Sequence, residues 1–178
     1  KAVSVTDEGV ATIVGSTIST DFPTTAGVIV PRIAQPTGFA ARRNLGGDGW
    51  VFSTFLVGTA DDLAVEDSGD FYVSGTIGSS SPIFGGAEVP ACNGSVLRKI
   101  NSSATRLLFS GFQPGLGSIA LGPMNDLFSA SSEAGGSLKT TAGAFQAVSN
   151  GQTDGYVLKL IPDESDRASV TCVSHGAS

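Results

Sequence analysis

Of its 178 residues, this sequence has two cysteines, one methionine, one tryptophan and one histidine. Cys92 and Cys172 are too few for a disulfide framework, and no C-x-x-C redox or zinc motif occurs. They either pair with each other, which needs Cα atoms within about 7 Å, or stay as two thiols. His175 lies in a Ser/Gly/Ala tail. A zinc site needs more ligands than this histidine and two distant cysteines offer. A Ser-His-Asp triad would need it too, and no Gly-x-Ser-x-Gly elbow accompanies it. Charge is sparse: ten Lys+Arg face sixteen Asp+Glu, for a formal charge of −6. No three basic residues run together, so the cationic footprint that displaces counterions from nucleic acid is missing. An anionic membrane surface is disfavoured for the same reason. No apolar run approaches the ~18 residues of a membrane helix. No charged start leads into an apolar leader segment. Lys1-Ala2-Val3 opens instead inside a strand-like pattern, and the natural start is expected upstream. Helix-compatible windows are scarce because Gly and Pro interrupt nearly every one, and Thr140 to Ser149 offers one helical turn at most.

What is present is turn chemistry and apolar runs. The chain has 24 glycines and 8 prolines, and 40% of it is hydrophobic. A chain of this length and hydrophobicity can bury a core, and disorder is disfavoured. The runs repeat. Val3-Ser4-Val5-Thr6, then Gly9, then Ile13-Val14-Gly15 returns 60 residues later as Leu63-Ala64-Val65-Glu66, Gly69 and Val73-Ser74-Gly75. It returns after 56 more as Ile119-Ala120-Leu121-Gly122, Asn125 and Ser129-Ala130-Ser131. Thr24-Thr25-Ala26-Gly27 recurs as Thr140-Thr141-Ala142-Gly143, an offset of 116, which is the sum of the other two.

Two later landmarks extend the alignment. Gly38-Phe39-Ala40-Ala41-Arg42 aligns with Gly94-Ser95-Val96-Leu97-Arg98 and Gly155-Tyr156-Val157-Leu158-Lys159. Phe52-Ser53-Thr54-Phe55 aligns with Phe109-Ser110-Gly111-Phe112, and the third unit ends less clearly at Val170-Thr171-Cys172-Val173. Each unit therefore holds four short runs, in the first at about 3–6, 10–17, 39–44 and 50–57. They are rich in β-branched and aromatic residues and bounded by turn formers, which is the strand signature. Asp67-Ser68-Gly69-Asp70 reads as a hairpin turn. Four strands per repeat of this length is the arithmetic of a β-propeller blade, so the expected fold is all-β. The expected blades are about 1–60, 61–116 and 117–174, with 175–178 a tail. A propeller closes with about four to eight blades. Three blades alone would leave apolar faces open, so missing blades or self-association is expected.

Ser19 to Gly27 resembles the signature of the bacterial seven-bladed β-propeller repeat family. So does Phe52-Ser53-Thr54-Phe55-Leu56 followed by Gly58 and Asp61-Asp62, and so does Leu63 to Thr76. The resemblance covers nearly the whole chain, and order and spacing strengthen the short individual motifs. The chain departs from the pattern at Ser81-Pro82-Ile83-Phe84-Gly85-Gly86, at the short join Asp61-Asp62-Leu63, and at Gly122. The resemblance implies a secreted or cell-surface bacterial protein in which the repeats form a scaffold or binding module. It brings no catalytic residues, and no catalytic, cofactor or metal residue is assigned.

Four groups carry chemistry worth weighing. Arg42, Arg98 and Lys159 fall together in the alignment. They would be repeated cations for an anionic ligand, or cations held by strand neighbours. Asp61, Asp62, Glu66, Asp67 and Asp70 are oxygen-rich, as calcium requires, but do not follow a calcium-loop spacing and equally suit turns. Trp50, Phe52, Phe55 and Phe109 would stack on a sugar or fill a core. Asn93-Gly94-Ser95 and Asn101-Ser102-Ser103 match the glycosylation pattern. The expected function is a non-catalytic structural or interaction module with a protein or glycan partner. A glycan-binding propeller is the alternative. A propeller hydrolase or lyase, using residues outside this chain, ranks below both.

Overall fold

The computed structural model describes residues 1–34, 37–78, 94–112, 116–134, 141–144, 148 and 153–160. Among them the chain forms eleven strands and no helix. The first sheet is a meander of β1 (Ala2–Val5), β2 (Ala11–Thr17), β3 (Thr37–Arg43) and β4 (Trp50–Leu56). The second repeats it with β5 (Asp62–Val65), β6 (Phe71–Ile77), β7 (Gly94–Ile100) and β8 (Leu107–Phe112). The third has β9 (Ser118–Leu121), β10 (Leu127–Ala134) and β11 (Thr153–Leu160). All pairings are antiparallel. A fourth strand near Val170 to Val173 would fall outside the described residues, as do Cys92, Cys172, His175 and the Ser81 to Gly86 departure.

The first hairpin of every sheet turns the same way. Gly9 donates to the Thr6 carbonyl at 2.8 Å, Gly69 to Glu66 at 2.8 Å and Asn125 to Gly122 at 3.0 Å. Gly9 and Gly69 both sit at φ 85° and Asn125 at φ 58°, the left-handed region that closes a short hairpin without splaying its strands. These positions keep the 60 and 56 spacing. Gly27 and Gly143 keep the 116 spacing and share φ values of 79° and 82°. The positive φ at Gly143 also rules a helical turn out of the described part of 140–149. Residues 141–144 are a tight turn, with Ala144 donating to the Thr141 carbonyl at 3.1 Å.

The sheets stack in chain order. β5 runs beside both β1 and β9. Neighbouring residues on a strand point to opposite faces, so one sheet can serve two cores. Leu63, Phe71, Val73 and Ile100 pack against Val14, Ala40, Phe52 and Leu56 of the first sheet. Ala64, Tyr72 and Leu97, on the other face, pack against Ile119 and Leu127 of the third. This explains the unbroken apolar run Phe71-Tyr72-Val73, each residue of which is buried. The loop between β2 and β3 covers part of the first sheet's remaining face. Its Phe22 ring lies 4.8 Å from that of Phe39 and 5.6 Å from that of Phe55.

Candidate functional site

The three cations singled out by sequence do not converge on one surface. Arg42 is buried where the first two sheets meet. Its Nε donates to Thr12 Oγ1 at 2.7 Å, and its terminal nitrogens reach the carbonyls of Gly69 at 2.7 Å and Ser102 at 3.1 Å. The guanidinium carbon lies 5.3 Å from the Phe52 ring centre and 5.6 Å from that of Phe71, two rings stacked at 5.3 Å. Burial pushes the Arg42 pKa down, and the Asp70 carboxylate opposes this. Arg98 is fully buried at the same junction but on another row. It donates to the carbonyls of Val57 and Thr59, both at 2.6 Å. Burial lowers its pKa to about 10, against the pull of Asp61. Lys159 is half exposed and holds Asp126 at 2.8 Å, above the Phe128 ring at 5.9 Å.

The strand ladders also correct the alignment of these residues. Arg42 lies between Thr12 and Phe52, and Lys99 between Tyr72 and Phe109. Lys159 lies opposite Phe128. The β3–β4 and β7–β8 ladders slip immediately after this position, between Arg42 and Arg43 and between Lys99 and Ile100. The equivalent cations are therefore Arg42, Lys99 and Lys159. Arg98 is equivalent to Ala41 and Leu158, because it pairs with Val73 and Ser110 where they pair with Ile13 and Ser53, and with Ser129. Gly38 and Gly94 match as letters, but matching them shifts β7 by one residue, and one residue turns a side chain to the opposite face. The signal was in the sequence: Phe52 and Phe109 are 57 apart, whereas Gly38 and Gly94 are 56 apart.

Lys99, missed by the glycine match, makes a buried ion pair with Glu66 at 3.0 Å and lies 5.3 Å from the centre of the Tyr72 ring. Burial raises the Tyr72 phenol above its ordinary value, with the Lys99 charge opposing. The carboxylates weighed as calcium ligands mostly accept hydrogen bonds from the protein itself. Asp70 Oδ1 accepts from Ser102 N at 2.8 Å, and Asp61 Oδ2 from Thr59 Oγ1 at 2.7 Å. Asp62 accepts from its neighbour Leu63 N at 2.9 Å and, across the second junction, from Ile119 N at 2.8 Å. Among the described residues no three His, Cys, Asp or Glu side chains cluster to hold a metal ion. Phe52 and Phe55 are core residues, and Phe109 packs partly buried on the second core. Trp50 alone of the four is exposed, with the Arg43 guanidinium over its ring at 4.6 Å.

Neither a protein-family model nor a curated protein matches this chain.

Proposed function

We propose that the chain is a run of three β-propeller blades. They serve as a non-catalytic structural and interaction module of an exported bacterial protein, as the likeness to the seven-bladed repeat family implies. One observation carries the blade reading: a meander with the same first turn occurs three times, four-stranded in the first two sheets and three-stranded among the described residues of the third, and its first strands β1, β5 and β9 run side by side. Innermost strands adjacent around an axis are what blades of one propeller require. The scaffold reading draws support from the fate of the candidate cations. Arg42 and Arg98 bind carbonyls at a junction between repeats, and Lys99 and Lys159 hold carboxylates of their own sheets. A fold alone does not assign a function, so the test concerns chemistry. The purified chain is incubated with ester, peptide and polysaccharide panels, and products are read by mass spectrometry. Unchanged substrates agree with a scaffold, and turnover that co-purifies with the chain refutes it.

The glycan reading rests on Trp50, an exposed aromatic at the start of β4. Aromatic faces stack on sugars. Calorimetric titration with oligosaccharides separates the two readings: binding that Trp50→Ala abolishes would make the chain a glycan binder.

A further inference from the structure

The two outermost sheets carry open faces, and the repeat shows what each is shaped to meet. Val3, Leu63 and Ile119 are equivalent through the β1–β2, β5–β6 and β9–β10 ladders. Leu63 and Ile119 each bury against the preceding sheet and are 7% exposed, whereas Val3 is 64% exposed. Val5 beside it is exposed as well. Between Val3 and β3 lies a groove of about 470 Å³, lined by Val3, Ile13, Gly15 and Phe39 among others. The third sheet mirrors this. Leu97 is 1% exposed against the third sheet, and its equivalent Val157 is 72% exposed on the third sheet's own outer face. Phe128, equivalent to the buried Tyr72, lies on that same face.

We infer that these are the two halves of one contact, and that the outer face of the third sheet of one copy seats on the outer face of the first sheet of a second copy. Resting on the same blade geometry, the contact continues the two junctions already inside the chain. Both halves are encoded in this one sequence, so a second copy supplies what each face lacks. The charges agree. At the first junction Arg42 points at the turn carbonyl of Gly69. Lys159 occupies the equivalent place and keeps Asp126 as its own partner, as Lys99 keeps Glu66 at the second junction. The turn of the second copy that would face its exposed flank, Thr6-Asp7-Glu8-Gly9, brings two further carboxylates. Such a contact is head-to-tail, so it builds rings or short open stacks, not symmetric pairs.

The test uses the 178-residue chain and two charge insertions, Val3→Asp and Val157→Asp, each at a solvent-exposed site of the single chain. Light scattering across a concentration series should show wild-type mass rising in whole multiples. Each variant should keep its circular dichroism spectrum and bind itself about tenfold or more weakly. Mixed in equal amounts, the variants should form a two-chain species and stop there, because one intact face remains on each. If Val3→Asp fails to fold, Val5→Asp takes its place. A folded wild-type chain that stays monomeric at every concentration overturns the contact, as does a Val157→Asp chain that associates like wild type. Either result leaves the blade reading standing.

Discussion

The two junctions inside this molecule solve the same packing problem differently. Between the first and second sheets, Arg42 crosses the gap to the Gly69 and Ser102 carbonyls, and Arg98 crosses back to Val57 and Thr59. Between the second and third, Lys99 occupies Arg42's place but pairs with Glu66 of its own sheet. The crossing there is made by smaller groups, Asp62 to Ile119 N and Ser74 Oγ to the Gly117 carbonyl at 3.0 Å. A guanidinium is a planar fork of five donors and can satisfy several carbonyls at once, while an ammonium is a compact point charge best met by one carboxylate. The same strand position thus binds two sheets together when it is arginine and closes a local ion pair when it is lysine. At Lys159 the ion pair is again local, with Asp126 from the turn before β10.

Breaking the first junction should cost most. The segment joining β4 to β5 lies directly on β6, with Thr59 N donating to Thr76 O at 2.8 Å and Asp61 N to Ser74 O at 2.9 Å. Gly58 sits there at φ 78°, and a Cβ on it would run into the Thr76 carbonyl. Gly58→Ala is therefore expected to destabilise by about 4 kcal/mol, measured by urea unfolding. Arg98→Met keeps the apolar stem but strands two buried carbonyls, for an expected loss of about 3 kcal/mol by the same measurement. The direct contrast comes next. Arg42→Lys cannot hold Thr12, Gly69 and Ser102 together and should cost about 2 kcal/mol. Lys99→Arg keeps its carboxylate and should cost about 1 kcal/mol, from fitting the larger guanidinium into a packed site. Equal losses would mean that the fork geometry does not matter. The smallest effect is expected at Lys159→Ala, within about 0.5 kcal/mol, because that pair is open to solvent.

Much of the fold was legible because strand and turn signals repeat. Gly9, Gly69 and Asn125 mark three equivalent turns, and the Gly27 and Gly143 turns fix the long offset. Short β-branched and aromatic runs bounded by turn formers then placed the four strands of the first unit within a residue or two. What escaped was the exact register of β7. Glycine tolerates many conformations, so Gly94, at φ 143° opposite Ile77, is a poor anchor beside the Phe109 ring. Matching on Gly94 aligns Arg98, a junction residue, with Arg42 and Lys159 in place of Lys99. Burial of a cation is set by what the neighbouring sheet presents, and local sequence does not contain that. Among the aromatics, Phe52 and Phe55 were open to core and sugar-stacking readings; the second sheet buries Phe52, and Phe22 of the β2–β3 loop packs on Phe55.

The most direct test of the stacked repeats is native-state hydrogen exchange. The amides of Thr59, Asp61 and Ile119 join the connecting segment and the third sheet to the second, and those of Val14 and Val73 lie within single sheets. If the sheets form one packed stack, the joining amides exchange about as slowly as the in-sheet amides, since all open together. Fast exchange at Thr59, Asp61 and Ile119 alongside slow exchange at Val14 and Val73 would mean that the sheets open independently, and the stack would be contradicted.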